Sequence, residues 1–284
     1  DGQRVLFDLL GDIYEIPIGG GTARALTSGL AWDMQPRYSP EAQHIVFTSD
    51  RGGGDNIWIM RADGTQPREI TNEDFRLLNN PAWHPNGKYI AARKHFTTRR
   101  SLGTGEIWLY SIDGGDGVQL VKRPSEGFQK ELGEPAFAPD GKYLYFAQNS
   151  TPGDTFIYAQ DSNSEVFQVR RYELASGKID TVVTGPGGAV RPTPSPDGRY
   201  LAFVRRLRTP SSVETALYLK DLTSGAERPL YTALDRDMQE TWAVNGVYPN
   251  IDWTPDSKTI VVWAGGGIHR VCLASGTATE NRFH

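Results

Sequence analysis

The chain has 284 residues, with 30 lysines and arginines against 34 aspartates and glutamates, and therefore a formal net charge of −4 at pH 7. This charge balance argues against a nucleic-acid binder, because such proteins need a basic face to neutralise phosphates. The single cysteine, Cys272, excludes an intrachain disulfide and a multi-cysteine metal site. No run of residues approaches the roughly 18 apolar positions of a membrane span, so none is predicted.

One sequence pattern recurs about every 40–60 residues, a spacing typical of propellers and solenoids. Each copy contains a short strand, a Pro-Asp-Gly type of turn, an apolar strand, a variable loop, a third strand, a second tight turn and a closing strand. The copies contain PRYSPEAQHIVF from Pro36, PAWHPNGKYIAA from Pro81, PAFAPDGKYLYF from Pro135, PTPSPDGRYLAF from Pro192 and IDWTPDSKTIVV from Ile251. The opening DGQRVLF matches the second half of the unit, so six copies are visible and the first lacks its first strand.

These repeats predict a fold. Proline cannot donate to a strand ladder and marks strand ends, and Asp-Gly supplies the positive φ angles of tight hairpins. Four short antiparallel strands form one blade, and stacked blades bury each other's apolar faces. No long stretch shows an apolar period of 3.6 residues. The sequence therefore predicts an all-β, six-bladed β-propeller with four-stranded antiparallel blades, the first without its inner strand.

The unit SPEAQHIVFTSDRGGGDNIWIMRADGTQPREIT resembles the WD-like repeat of the TolB propeller family, and the resemblance extends over essentially the whole chain. It implies one propeller domain over residues 1–284, with repeats near 1–34, 35–79, 80–133, 134–190, 191–249 and 250–284. Such propellers occur alone in TolB, in the tricorn protease, in oligopeptidases and ahead of metal-dependent amidohydrolase domains. The resemblance also implies a periplasmic or secreted location.

Motifs of common catalytic sites are absent from the sequence. There is no Gly-x-Ser-x-Gly elbow, no His-Glu-x-x-His, no His-x-His pair and no phosphate-binding loop. The stretch Asp161-Ser162-Asn163-Ser164-Glu165 alternates oxygen ligands but lacks the glycine and the distal glutamate of an EF-hand. Of the five histidines only His95, in RKHFTTRR, stands out. We expect no catalytic residue, metal or cofactor in this chain.

Loop length is concentrated on one predicted face of the propeller. Loops between second and third strands and connections between blades share that face, and they contain residues 93–106, 122–134, 147–165, 204–216 and 232–249. Long loops on a rigid scaffold commonly carry binding. Their aromatic residues, mixed with charges of both signs, favour a protein or peptide partner. The predicted contact residues are Trp242, Phe128, Arg93, Arg206, Trp32 and Arg76.

A polar residue enters each inner strand, and propeller symmetry predicts that these residues form a ring at the channel mouth on the same face. The ring residues are Gln35, Asn80, Glu134, Arg191 and Asn250. Glu134 and Arg191 come from adjacent blades and are predicted to pair. Two interpretations stay open, namely a ring that serves binding and polar residues that only meet water in a wet channel.

Several functions fit these features. The first is a non-catalytic propeller for protein interaction or substrate gating, as a fragment of a larger protein. The alternative is the propeller portion of an amidohydrolase or serine peptidase with its catalytic residues outside this chain. An enzyme with its site in the channel is disfavoured by the missing motifs. The open edge of the first blade also favours strand exchange with a neighbouring molecule.

Overall fold

A computed structural model describes residues 2–75, 77–97, 103–158, 161 and 163–282. Within these ranges the chain forms 23 β-strands in six sheets and no helix. Five sheets have four strands and the first has three. The fold is therefore the six-bladed propeller that the repeats predict, including the three-stranded first blade. None of the described residues forms a helix that could cross a membrane.

The strands fall into two compact units, of which the first comprises Asp1–Phe96, Gly105–Lys122 and Asn281–His284. Its first sheet contains β1 (Arg4–Leu9), β2 (Asp12–Pro17) and β3 (Arg24–Ala25). The second sheet contains β4 (Asp33–Tyr38), β5 (His44–Ser49), β6 (Asn56–Arg61) and β7 (Arg68–Glu69). The third sheet contains β8 (Leu78–Trp83), β9 (Tyr89–Thr97), β10 (Gly103–Ser111) and β11 (Val118–Val121).

The second unit comprises Thr97–Thr104 and Arg123–Glu280. The fourth sheet contains β12 (Leu132–Phe137), β13 (Tyr143–Asn149), β14 (Phe167–Glu173) and β15 (Ile179–Val183). The fifth contains β16 (Val190–Pro194), β17 (Tyr200–Arg208), β18 (Val213–Asp221) and β19 (Glu227–Leu234). The sixth contains β20 (Asp252–Trp253), β21 (Thr259–Ala264), β22 (Gly267–Cys272) and β23 (Ala278–Asn281).

The core of each unit lies between neighbouring sheets. In the first unit, Val46 and Ile59 of the second sheet pack in one buried cluster with Ile90 of the third. In the second unit, Val204 of the fifth sheet shares a cluster with Ile260 of the sixth. Each apolar square ångström removed from water contributes about 25 cal/mol, so a blade gains stability on both faces only when it has neighbours.

Four inner strands share one irregularity, a β-bulge at a dipeptide that ends in proline. The dipeptides are Gln35-Pro36, Asn80-Pro81, Glu134-Pro135 and Arg191-Pro192. The first residue of each has a left-handed φ between 52° and 57°. A bulge leaves one residue outside the ladder, and proline fits there because it has no N–H to donate. The repeated Xaa-Pro thus marks the bulge in the sequence.

Two stretches that the sequence predicts as loops are largely strand. Residues 93–97 belong to β9 and residues 103–106 to β10, whereas residues 98–102 lie outside the described residues. Strands β17 and β18 pair without a break from Tyr200↔Asp221 to Arg208↔Val213. The expectation of a long loop at 204–216 is therefore wrong, because Arg205 and Arg206 of β17 are paired with carboxylates within the fold.

A threonine hydroxyl extends the ladder beyond the short outer strand in two sheets. Thr71 Oγ1 accepts a hydrogen bond from the backbone N–H of Ile57 at 2.9 Å and donates to Asn56 Oδ1 at 2.8 Å. In the first sheet, Thr27 Oγ1 accepts from the N–H of Ile13 at 2.9 Å. Thr71 is buried and Thr27 is half-buried. The hydrogen bond to Thr71 is therefore more shielded from water than the equivalent bond to Thr27.

We expect Thr71→Val to lower the free energy of unfolding by about 1–3 kcal/mol, because it leaves the buried Ile57 N–H without that acceptor. The half-buried Thr27→Val is the matched control and should cost less, since the hydrogen bond that the Thr27 hydroxyl accepts is less shielded from water than the one at Thr71. Urea denaturation of both variants measures the difference. An equal or larger cost for Thr27→Val would contradict this assignment.

Candidate interaction surface

The connection between β19 and β20, residues 235–251, contains most of the predicted loop 232–249 of the second unit. We call it the β19–β20 connection. Two buried groups of charged residues fasten it, one through Arg206 and one through Glu134 and Arg191. Between these two points lies Trp242, which is half-buried.

Arg206, on β17, forms the first of these groups. Its Nε donates to Asp237 Oδ2 and its Nη2 to Asp237 Oδ1, both at 3.0 Å, and the guanidinium also pairs with Glu240. Asp237 Oδ2 in turn accepts from the hydroxyl of Thr215 at 3.1 Å. Burial alone would lower the pKa of Arg206, but hydrogen bonds and charge from Glu240 and Asp237 raise it above its ordinary value. Arg206 therefore stays charged and holds the start of the connection.

Glu134 and Arg191 form the second group, and the predicted pair is confirmed by a distance of 3.2 Å between Glu134 Oε1 and Arg191 Nη2. Glu134 Oε1 also accepts from the N–H of Val247 at 2.6 Å. Arg191 Nε donates to the carbonyl of Tyr248 at 2.8 Å, and its Nη1 donates to Asn250 Oδ1 at 2.8 Å. The end of the connection is thus fastened through both backbone and side-chain atoms.

Two glycines allow this close approach. A Cβ at Gly246 would lie 2.2 Å from Arg191 Nη2, and one at Gly188 would lie 2.0 Å from Gln239 Oε1. Both have a positive φ, which side-chain-bearing residues rarely adopt. Gln239, which is fully buried, donates through Nε2 to the carbonyl of Gly187 at 2.9 Å. The connection is therefore shaped to fit over β16 and β17.

An aromatic cluster lies where the connection meets the loop after β13. The rings of Phe156 and Trp242 meet edge to face at 5.5 Å, and those of Phe156 and Tyr158 at 4.8 Å. Phe156 is buried beneath the other two, while Tyr158 is 63% exposed. Ile157 and Met238, on the same two segments, are also exposed. We call Phe156, Tyr158 and Trp242 the aromatic cluster.

The bulge residues of neighbouring sheets are linked by hydrogen bonds that the sequence did not predict. In the first unit, Gln35 Oε1 accepts from the backbone N–H of Asn80 at 2.7 Å. In the second unit, Glu134 Oε2 accepts from the N–H of Arg191 at 2.5 Å. In each case the side chain of one bulge residue receives the N–H of the next. We call this arrangement the bulge relay.

The first sheet takes part in the relay through a residue on β1. Asp8 Oδ2 accepts from the backbone N–H of Gln35 at 2.5 Å. Loss of hydration among the surrounding atoms raises the pKa of this carboxyl, and the hydrogen bond from Gln35 opposes the rise in part. The Asp8 side chain still keeps contact with water.

A second exposed region lies on the loops of the first unit. Trp32 is 51% exposed, its ring packs against Gly11, and its backbone N–H donates to Asp50 Oδ1 at 2.7 Å. Leu10 and Leu30, in the adjacent turn and connection, are almost wholly exposed. We call Leu10, Leu30 and Trp32 the Trp32 patch.

Three of the predicted contact residues are not on the surface. Phe128, Arg93 and Arg206 are 4%, 1% and 5% exposed, so the expectation that they are exposed loop residues is wrong. Arg93 is part of β9 and lies 3.2 Å from His95 Nδ1, which places the histidine in the interior as well. Arg76 lies outside the described residues.

Among the residues that the structure describes, no three His, Cys, Asp or Glu side chains come together in a group that could hold a metal ion. In the stretch 161–165, Asp161 Oδ1 accepts from the N–H and the Nδ2 of Asn163, at 2.9 Å and 3.0 Å. Ser162 is outside the described residues. The absence of a metal and a cofactor stays a prediction.

Comparisons with known proteins match this chain to TolB propellers and to a protein named as a peptidase. Residues 1–120 match the family model described as the TolB beta propeller domain. The "Uncharacterized peptidase YuxL" of Bacillus subtilis is 31% identical over 175 residues, which cover 50% of this chain and 25% of that protein. The Tol-Pal system protein TolB of Helicobacter hepaticus is 27% identical over 175 residues, covering 59% of this chain and 40% of that protein.

Among solved structures, TolB from Acinetobacter baumannii aligns with a TM-score of 0.71 and 16% identity, over 98% of this chain and 62% of that chain. Identity this low shows a shared fold only. The matched segments cover 25% of the Bacillus subtilis protein and 40% of the Helicobacter hepaticus protein, so this chain spans only part of the length of these relatives. The role of individual residues therefore has to come from the geometry of this chain.

We expect Glu134→Ala to lower the free energy of unfolding by about 3–5 kcal/mol, because it leaves the Arg191 guanidinium buried without its counter-charge. Glu134→Gln also removes the charge but keeps an acceptor oxygen for the N–H of Arg191, so it should cost less. Urea denaturation with tryptophan fluorescence reports both values. Equal costs for the two variants would show that the acceptor oxygens of Glu134 contribute nothing beyond its charge, which would contradict the role of its hydrogen bonds to Arg191 and Val247.

Proposed function

We propose that this chain, which is a TolB-like six-bladed β-propeller, acts as a non-catalytic domain for protein interaction or substrate gating within a larger protein. The partner is a protein or peptide, and neither nucleic acid nor a cofactor is part of the proposal. The loops that bind it carry the aromatic cluster and the Trp32 patch.

The observation that carries this proposal is the aromatic cluster on an anchored connection. Tyr158 and Trp242 offer ring surface to solvent, while Arg206 and Glu134 fix the segment that presents Trp242. Aromatic residues held in one conformation lose little entropy on binding, and they dominate the energetics of protein interfaces. The charged groups nearby are engaged in the fold, which favours a binding surface over a reactive site.

The proposed direct contacts are fewer than the contact residues that the sequence predicts. Trp242 and Trp32 are the proposed direct contacts, whereas Phe128, Arg93 and Arg206 support the loops from beneath. The ring residues Gln35, Asn80, Glu134, Arg191 and Asn250 are proposed to lie at the channel mouth under the bound partner. The hydrogen bonds of Gln35, Glu134 and Arg191 to backbone atoms support a positioning role there.

The alternative is a propeller that serves an amidohydrolase or serine peptidase domain outside this chain. This alternative is favoured by the name of the Bacillus subtilis relative, an uncharacterized peptidase. The matched segment covers 25% of that protein. The periplasmic or secreted location also belongs to the proposal, supported by the relative named for the Tol-Pal system. A single domain over residues 1–284 is proposed on the same resemblance.

The proposal is tested with linear peptides selected from a phage-displayed random library on the immobilised chain. We expect Trp242→Ala to weaken the selected peptides about thirtyfold, which corresponds to about 2 kcal/mol for an interface hot spot. Tyr158→Ala should weaken them in the same direction. Isothermal titration calorimetry gives the affinities.

Tyr89→Ala is the matched control, because Tyr89 is 41% exposed but lies at the start of β9, next to a tight turn. Its affinity for the selected peptides should equal that of the unaltered chain. Selected peptides that respond to Tyr89→Ala, and not to Trp242→Ala or Trp32→Ala, would place binding on the other surface and refute the proposal.

A further inference from the structure

A cleft lies between the second and third sheets of the first unit. Residues 70–73, which follow β7, form one side, and β9, β10 and the turn after β10 form the other. Its volume of about 450 Å³ falls within the range of roughly 300–1,000 Å³ that is typical of sites for small ligands. The lining includes Ile70, Glu73, Lys94, Trp108, Tyr110 and Asp116. We call it the Tyr110 cleft.

The hydroxyl of Tyr110 is a buried polar group that the fold does not use. Tyr110 is 2% exposed, and within the described ranges its hydroxyl has no hydrogen-bond partner. Its ring packs closely on Gly117, where a Cβ would lie 2.5 Å from Tyr110 Cε1. The second repeat has Met60 at the equivalent position, buried and without a polar side-chain hydrogen-bond donor. Since a buried hydroxyl without a partner costs stability, this one points to an acceptor on a ligand.

The surroundings of this hydroxyl keep it protonated. Burial raises the pKa of Tyr110, and the negative charge of Glu73 raises it further. The protonated hydroxyl acts as a hydrogen-bond donor. A ligand in the cleft therefore has to present an oxygen that accepts from it.

The two buried charges of the lining compensate each other. The ammonium of Lys94 pairs with the carboxylate of Glu73 and lies 4.3 Å from the centroid of the Trp108 ring. The backbone of Glu73 is fixed by Asn56, whose Oδ1 accepts from its N–H at 2.9 Å and whose Nδ2 donates to its carbonyl at 3.0 Å. A charged ligand would disturb this pair at a cost in free energy. The third charge, Asp116, is exposed to water. The cleft therefore favours an uncharged ligand.

The lining also combines apolar surface with hydrogen-bonding groups of both kinds. Ile70 and Trp108 supply the apolar part, Tyr110 and Lys94 carry donors, and the carboxylates carry acceptors. A sugar ring matches this combination, because its hydroxyls both donate and accept and its C–H groups are apolar.

We propose that the Tyr110 cleft binds a neutral sugar, with the Tyr110 hydroxyl donating to one of its oxygens. The Lys94–Glu73 pair offers the remaining N–H groups and carboxylate oxygen to the sugar hydroxyls. None of the cleft residues belongs to the aromatic cluster or to the Trp32 patch, so this site is independent of the proposed loop surface.

The test uses four neutral sugars, namely the methyl glycosides of glucose, galactose and mannose, and N-acetylglucosamine. Each is titrated into the isotope-labelled chain and followed by NMR. We expect at least one of them to bind saturably at millimolar concentration. The amide signals of residues 70–73 and 108–116 should shift, because these segments line the cleft.

Tyr110→Phe keeps the ring and removes the hydroxyl. It should weaken binding of that sugar about threefold to tenfold, as expected for one hydrogen bond. Its free energy of unfolding in urea should not fall, because the hydroxyl has no bond in the fold to lose. Tyr248→Phe is the matched control, since Tyr248 is also buried but its hydroxyl donates to the carbonyl of Trp263 at 3.0 Å. That variant should be less stable and bind the sugar as the unaltered chain does.

Charged analogues test the preference for an uncharged ligand. The uronic acid and the amino sugar of the same configuration as the bound sugar should both bind more weakly than the neutral form. Tighter binding of either one would make a charged ligand the occupant and refute the proposal. It would equally be overturned if none of the four sugars shifted residues 70–73 and 108–116 at millimolar concentration, or if Tyr110→Phe bound the sugar with unchanged affinity.

Discussion

The hydrogen bonds from the N–H groups of the bulge residues Asn80 and Arg191 to the side chain of the preceding bulge residue are the interactions on which the rest of the structure depends. The left-handed conformation of a residue with a side chain costs roughly 1–2 kcal/mol. Proline in the bulge cannot contribute a donor to the ladder. The N–H of the residue before it is the donor that remains, and Gln35 and Glu134 accept it from the next sheet. The bulge thereby joins neighbouring sheets within each unit.

This constraint accounts for the polar residues at the start of the inner strands. The side-chain oxygens of Gln35 and Glu134 accept hydrogen bonds within the fold. A third interpretation of the ring, structural linkage between sheets, therefore joins the two interpretations of binding and hydration. In the second unit the same glutamate also fixes the β19–β20 connection through Val247. The residues that hold the sheets together and the residues that position Trp242 are thus partly the same.

The sequence predicted the blades because each repeat carries its own turn and apolar residues, which are local signals. It also predicted the Glu134–Arg191 pair, since propeller symmetry relates equivalent positions in adjacent blades. The sequence did not predict that Arg93 and Arg206 are buried in strands, because the charged residues around them are typical of a loop. Asp237, the partner of Arg206, lies 31 residues away, and no spacing rule connects the two. The role of Asp8 was missed because it acts from a different strand of the repeat.

Amide hydrogen exchange, measured by NMR on the unaltered chain and on Gln35→Leu, tests the bulge relay most directly. In the unaltered chain the N–H groups of Asn80 and Arg191 should both exchange slowly. Gln35→Leu should speed exchange at Asn80 by at least about fivefold, which corresponds to one hydrogen bond of about 1 kcal/mol, and leave Arg191 unaffected. Equal exchange of the Asn80 N–H in both proteins, or equal acceleration of both amides, would contradict the account.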